Sequence, residues 1–141
     1  MILRNVFIVT IIAIAHIIPM QSYAVDNSIP TGVQILKEGT TYDLTKAPGH
    51  LVVIDFNATW CGPCRKFSPI FKSAADKYKG EVEFISVDID RHKKLTRDIG
   101  ITSVPTLLFI CSDGKIYSWV GLLPQEEFFK AIDKLKSGVD D

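Results

Sequence analysis

This sequence of 141 residues has no net charge and few cysteines. The 16 basic and 16 acidic side chains cancel, whereas proteins that bind nucleic acid or a membrane surface usually carry a basic excess. The balance therefore argues against both of those classes. The sequence has no internal repeat and no low-complexity segment, and its length suits a single domain.

The apolar run at the N-terminus is too short to span a bilayer, but the segment has the features of a secretory signal peptide. Arg4 supplies a positive charge, residues 6–18 form an apolar run, Pro19 follows, and Ser22 and Ala24 place small residues at the −3 and −1 positions. A run of 13 residues falls short of the ~20 that cross a membrane. An uncleaved N-terminal anchor is the alternative.

Three segments follow from this interpretation. We predict a signal peptide over residues 1–24, a short linker over 25–30 and one domain over 31–141. The domain is then exported to the periplasm or to another compartment outside the cytoplasm.

The sequence contains only three cysteines. A disulfide between Cys61 and Cys64 would close a very short loop and remove little chain entropy, which disfavours a purely structural bridge. A structural zinc site needs four ligands, but there is no second Cys-x-x-Cys, and His16 lies in the predicted signal peptide. We therefore expect no metal.

The two close cysteines lie in the pentapeptide 60–64, Trp-Cys-Gly-Pro-Cys. The apolar run 51–56 before it predicts a strand buried on both faces, and apolar residues at spacings of three and four after it predict an amphipathic helix. Unpaired N–H groups and the helix dipole favour a thiolate at a helix N-terminus. We expect Cys61 to be the exposed nucleophile and Cys64 to point inward.

The remaining sequence alternates between strand and helix patterns, with Pro69 inside the first helix. Strands are predicted at 33–36, 51–57, 82–87, 106–111 and 116–120, with a short extended piece at 42–44, and helices from the pentapeptide to about Lys79, from His92 to Asp98 and from Pro124 to Lys136. This order predicts an α/β fold, with a central mixed sheet and helices on both faces.

Four landmarks in the chain are similar to those of one known family. They are the stretch 55–64, Pro69, the triplet Val104-Pro105-Thr106 and Gly121 after a predicted hairpin. In this order and spacing they resemble the thioredoxin family, and the resemblance covers roughly residues 31–137. It implies a thioredoxin-like three-layer sandwich.

The resemblance also implies roles around the cysteines. Val104, Pro105 and Gly121 would form the substrate-binding loop, with a cis peptide bond before Pro105; an ordinary trans proline at a strand start is the alternative. Trp60 would shield the disulfide. Gly62 and Pro63 would keep the bridge tight without adding a polar side chain.

Asp55 is the third catalytic candidate beside Cys61 and Cys64. A carboxyl group in so apolar a run should have a raised pKa because it is desolvated. In the family the matching aspartate lies beneath the buried cysteine and helps to remove its proton; a structural carboxylate that caps a neighbouring turn is the alternative.

Three positions depart from the pattern of the family. Asn57 stands where cytoplasmic thioredoxins commonly have Trp, and Ser86 stands where they commonly have Lys. Cys111 is not part of the family's active site. We interpret it as a buried small hydrophobe, with a second, regulatory thiol as the alternative.

The resemblance implies an exported thiol:disulfide oxidoreductase that reduces protein disulfides. No cofactor is expected, because the electrons reside in the dithiol. The expected partners are disulfide-bearing proteins and a membrane-embedded electron donor, with no nucleic acid and no metal, and the protein is expected to be a monomer. Two alternatives remain: an oxidase or isomerase on the same fold, and a non-enzymatic holdase-like module that binds extended peptides.

Overall fold

A computed structural model describes residues 28–138 of the chain. Its elements are β1 (Val33–Ile35), β2 (Leu51–Asn57), α1 (Gly62–Lys77), β3 (Val82–Asp88), α2 (Lys93–Ile99), β4 (Thr106–Ile110), β5 (Ile116–Val120) and α3 (Gln125–Lys136). All of them were expected from the sequence, with boundaries that agree to within two residues. The predicted signal peptide, residues 1–24, lies outside the described residues. None of the helices described is long and apolar enough to cross a membrane.

The extended piece predicted at residues 42–44 is wrong. The backbone N–H of Thr45 donates to the Asp43 carboxylate at 3.0 Å, which bends the chain into a turn instead of a strand. Tyr42 and Leu44 are apolar because they pack against the core beside α2.

The five strands form one mixed sheet in the order β1-β3-β2-β4-β5. Central strand β2 runs parallel to β3 and antiparallel to β4, and Asp55 lies opposite Ser86 on one side and Leu107 on the other. Burial on both faces explains why the sequence of β2 is almost continuously apolar.

Helices cover both faces of the sheet. On one face, α1 and α3 bury a core of aromatic side chains that includes Phe67, Phe71 and Phe128. On the other face, Leu95 of α2 packs against Val52 and its neighbours. This is the three-layer thioredoxin-like sandwich that was expected, and α1 continues through Pro69 without ending there.

Phe128 links the last helix to the rest of the aromatic core. It is fully buried, and its ring lies 5.1 Å from that of Phe67 and 6.1 Å from those of Phe71 and Phe109, centroid to centroid. Cys111 is buried in the same core, which agrees with its interpretation as a small hydrophobe.

His92 is a buried polar residue at the start of α2. Its Nδ1 lies 3.1 Å from the carbonyl oxygen of Asp88, and its Nε2 lies 3.0 Å from the carbonyl oxygen of Lys37. The imidazole ring thus connects the segment before β2 to the turn that leads into α2.

Candidate active site

Cys61 and Cys64 lie at the N-terminus of α1, as the sequence predicts. Cys61 is the residue that caps the helix, and its Sγ accepts a hydrogen bond from the backbone N–H of Cys64 at 3.2 Å. The two residues form a disulfide with their Cα atoms 5.3 Å apart. The unpaired N–H groups and the dipole of α1 therefore favour negative charge on Cys61 once the bridge is reduced.

The exposure predicted for Cys61 is wrong for the disulfide form. Cys61 is only 4% exposed and Cys64 only 5% exposed. Cys61 is covered because Ala58 is buried with the cysteines and Ile89 and Val104 pack against them from other parts of the chain. Position at the helix cap, and not exposure, distinguishes Cys61 from Cys64.

Asp55 is buried beneath this site, with 4% of its surface exposed. Desolvation raises the pKa of Asp55 from its usual 3.8 to about 7, although a hydrogen bond from Asn57 acts in the opposite direction. Asp55 and Cys64 line the same cavity, which has a volume of about 470 Å³. The structure thus places this carboxyl group and Cys64 along one cavity.

Asn57 and Ser86 form hydrogen bonds around Asp55 that the sequence analysis missed. The Asn57 Nδ2 group donates to Oδ2 of Asp55 at 3.2 Å, to the backbone carbonyl of Asp55 at 3.1 Å and to Oγ of Ser86 at 2.8 Å. By the family pattern alone, the two residues are only replacements for Trp and Lys. Pairing β2 with β3 in register would have shown that Ser86 lies beside Asp55. Asn57 is two residues from Asp55 on the same strand, so the two side chains share a face of the sheet.

The predicted substrate-binding residues contact one another, and one of them, Val104, reaches the cysteines. The Val104–Pro105 peptide bond is cis, and Val104 packs against the two cysteines. The backbone N–H of Gly121 donates to the carbonyl oxygen of Pro105 at 2.8 Å. Gly121 has φ +96°, a backbone conformation that favours glycine, and this explains the residue type at that position.

The other residues of the pentapeptide give the site its outer surface. Trp60 is 65% exposed, and its indole Nε1 donates to the Asp90 carboxylate at 2.8 Å. Gly62 and Pro63 form the first turn of α1. Arg65 donates to the carbonyl oxygen of Thr59 at 3.1 Å and so holds the loop that precedes the cysteines.

No group of His, Cys, Asp and Glu side chains within residues 28–138 is arranged to hold a metal ion. The redox-active group of the described site is the Cys61–Cys64 disulfide.

Comparison with known proteins gives one consistent result. The Thioredoxin family model matches residues 33–134. A thioredoxin from Borreliella burgdorferi is 46% identical over 82 residues, which cover 58% of this chain and 69% of that protein.

Solved structures agree with the family match. A thioredoxin from Malassezia sympodialis, 34% identical, superposes with a TM-score of 0.60 over 77% of this chain and 95% of its own. A thioredoxin from Halobacterium salinarum has a TM-score of 0.68 over 80% of this chain and 98% of its own; at 24% identity it shows the fold alone. The family model, these relatives and the disulfide between Cys61 and Cys64 lead to one conclusion: the chain belongs to the thioredoxin family of thiol:disulfide oxidoreductases.

Proposed function

We propose that the protein is an exported reductant of disulfide bonds in other proteins. The observation that carries the proposal is the different setting of the two cysteines. Cys61 caps α1, whereas Cys64 shares a cavity with the buried carboxyl group of Asp55. Such a pair separates the two steps of disulfide exchange, one of which needs a stabilised thiolate and the other a base.

In the first step, the Cys61 thiolate attacks one sulfur of the substrate disulfide. A bond forms between Cys61 Sγ and that sulfur, the substrate S–S bond breaks, and the second substrate sulfur leaves as a thiolate. The N-terminus of α1 stabilises the attacking thiolate. Trp60, Val104 and Gly121 provide the surface on which an extended substrate segment binds.

In the second step, Cys64 resolves the mixed disulfide. Asp55 accepts the proton of the Cys64 thiol, and the resulting thiolate attacks Cys61 Sγ. The mixed disulfide bond breaks, and the substrate sulfur that was bonded to Cys61 leaves as a thiolate. A pKa of about 7 for Asp55 suits a base that works near neutral pH. The substrate gains two electrons, and the protein is left with the Cys61–Cys64 disulfide, the form described above.

A dithiol outside the cytoplasm must be reduced again after each cycle. We propose that a membrane-embedded thiol protein supplies these electrons, because the compartment itself is oxidising. The signal-like segment 1–24 supports export, and Gly62-Pro63 supports the reducing direction, since no polar side chain stands between the cysteines to stabilise a thiolate further.

The direction is tested by the equilibrium of the Cys61–Cys64 couple with glutathione. A potential more negative than about −230 mV supports a reductant, whereas one near −180 mV or higher belongs to an isomerase or oxidase and would overturn the reducing role. The Cys64→Ser variant identifies the substrate proteins, because without the resolving thiol it should accumulate mixed disulfides with them through Cys61. The Cys61→Ser variant is the matched control and should trap few.

Export is tested on the protein purified from its own cell. Mass spectrometry should find a chain that begins at Val25 in the fraction outside the cytoplasm. A chain that keeps residues 1–24 and sediments with membranes would instead indicate the uncleaved anchor, and a cytoplasmic full-length chain would contradict export.

A further inference from the structure

The two carboxylate oxygens of Asp55 have different surroundings. Oδ2 accepts the hydrogen bond from the amide of Asn57 at 3.2 Å. Oδ1 is buried and has no hydrogen-bond partner in the part of the chain that the structure describes. Buried polar atoms nearly always have a hydrogen-bond partner, so an unpaired oxygen is unusual. The side chain that carries it lines the cavity shared with Cys64.

The amide of Asn57 is itself held in one orientation. The carbonyl oxygen of Asp55 can only accept, so the amide group that faces it at 3.1 Å must be the NH₂. The same nitrogen lies 2.8 Å from Oγ of Ser86. Three acceptors on two strands therefore fix the two amide hydrogens, and the contact with Oδ2 cannot be lost by rotation without breaking the others.

Other groups near Asp55 do not replace this contact. The ionisable side chains that share its cavity all come from α1: Cys64, Arg65, Lys72 and Asp76. Neighbouring strands bring Ser86 and Leu107 opposite Asp55, and neither residue titrates. Among the described residues, Asn57 alone donates a hydrogen bond to the carboxylate of Asp55.

We propose that Asn57 is a positioning residue for the resolution step, which holds Oδ2 of Asp55 at the edge of β3 and leaves Oδ1 available to the Cys64 thiol across the shared cavity. The inference rests on the proposed function, because it assigns Asn57 a role only if Asp55 is the base. Asn57 acts through Asp55 and does not touch the reacting sulfur atoms.

The direction of the effect follows from the hydrogen bond. An N–H donor favours the ionised carboxylate and holds the pKa of Asp55 below the value that burial alone would give. Removing the donor therefore raises the pKa of Asp55 further, and at neutral pH less of the protein has the base in its ionised form. The pH at which resolution reaches half its maximal rate should move upward.

The test compares Asn57→Leu, which has a similar volume but no donor, with the wild type and with Asn57→Ala. Resolution of a preformed mixed disulfide on Cys61 is followed by stopped-flow between pH 5.5 and 9.5. A hydrogen bond to a charged group corresponds to about one pH unit, so both variants should shift the midpoint upward by about that much. At pH 7 resolution should be roughly fivefold slower.

A carboxyl ¹³C titration of Asp55 in the reduced protein should show the same upward shift. Ser86→Ala is the matched control, because it removes a hydroxyl from the same cluster and leaves the Asn57–Asp55 contact in place. It should keep the wild-type midpoint. An equal shift in Ser86→Ala, or a slower rate with an unchanged midpoint in the Asn57 variants, would assign Asn57 a merely structural role and overturn the inference.

Asp55→Asn, measured in parallel, distinguishes a wrong base from a wrong positioning residue. If Asp55→Asn resolves the mixed disulfide as fast as the wild type, the base in the proposed mechanism is wrong, and the role of Asn57 is wrong with it. If Asp55→Asn is slow while both Asn57 variants keep the wild-type midpoint, only the positioning role is overturned.

Discussion

Replacing Asp55 by Asn should stabilise the protein above neutral pH and leave its stability at low pH almost unchanged. Burial raises the pKa of Asp55 from 3.8 to about 7, and at about 1.4 kcal/mol per pKa unit this difference corresponds to about 4 kcal/mol. That is the free energy by which folding disfavours the ionised form. An asparagine has the same shape but never ionises, so the variant does not incur this free-energy cost.

The sign follows from proton binding in the two states. Since the pKa of Asp55 is higher in the folded protein, the folded state binds the proton more tightly than the unfolded state does. The associated stability is fully present below pH 4 and is lost as the pH rises through about 7. The advantage of Asp55→Asn should therefore be near zero at pH 4 and approach about 4 kcal/mol at pH 8.

Urea denaturation of the oxidised protein measures this advantage directly. In the disulfide form neither Cys61 nor Cys64 titrates, so their ionisation does not contribute to the pH dependence. With a slope of about 2 kcal/mol per molar urea, the midpoint at pH 8 should rise by about 2 M. Asp76→Asn, an exposed residue on the same cavity, is the control and should change little at any pH.

Two results would refute the reasoning. An equal gain at pH 5 and pH 8 would mean that the ionisation of Asp55 is not the cause, and no gain at pH 8 would mean that the carboxylate is not desolvated. The same substitution should slow resolution of a mixed disulfide by on the order of 100-fold, so stability and activity are expected to move in opposite directions.

Three further outcomes are expected. In the reduced protein, Cys61 should react with iodoacetamide near neutral pH well before Cys64 and Cys111, because it alone caps a helix; equal labelling by peptide mass spectrometry would contradict that assignment. Phe128→Ala should lower the free energy of unfolding by about 3–5 kcal/mol in urea, and a loss below about 1 kcal/mol would mean that α3 does not close the aromatic core. His92→Ala should lower it by about 1 kcal/mol or more, because a buried ring and its hydrogen bond to a backbone carbonyl oxygen are lost; an unchanged midpoint would show that the imidazole does not help to join the two segments.

Most of the fold could be predicted because its signals are local. The continuous apolar run of β2 and the helical spacing after Cys64 depend only on neighbouring residues, and both predicted their elements to within two positions. The segment 42–44 failed for a physical reason. Alternating apolar residues also occur where a loop docks on the core, and the hydrogen bond from Thr45 to Asp43 decides in favour of a turn.

The site was predictable as far as spacing and burial determine it. The positions of Cys61 and Cys64, the raised pKa of Asp55 and the cis bond at Pro105 all agree with expectation. The low exposure of Cys61 could not be foreseen, because it depends on Val104 and on residues of other segments that pack against the disulfide.

The hydrogen bonds around Asp55 show the limit of comparison with a family pattern. By that comparison, Asn57 and Ser86 are only a missing aromatic ring and a missing cation. Their contact with each other and with Asp55 arises because β2 and β3 lie in register, and side-chain geometry across two strands is not contained in either strand alone.

The place of Phe128 in the chain has a consequence for the order in which the protein is made. Its ring completes a core to which Phe67, Phe71 and Phe109 contribute from earlier segments. The ribosome adds Phe128 after all of them, so the core that these rings form cannot close until α3 has been made. A chain that ends before α3 would therefore leave these aromatic side chains open to solvent, and it should be prone to aggregate.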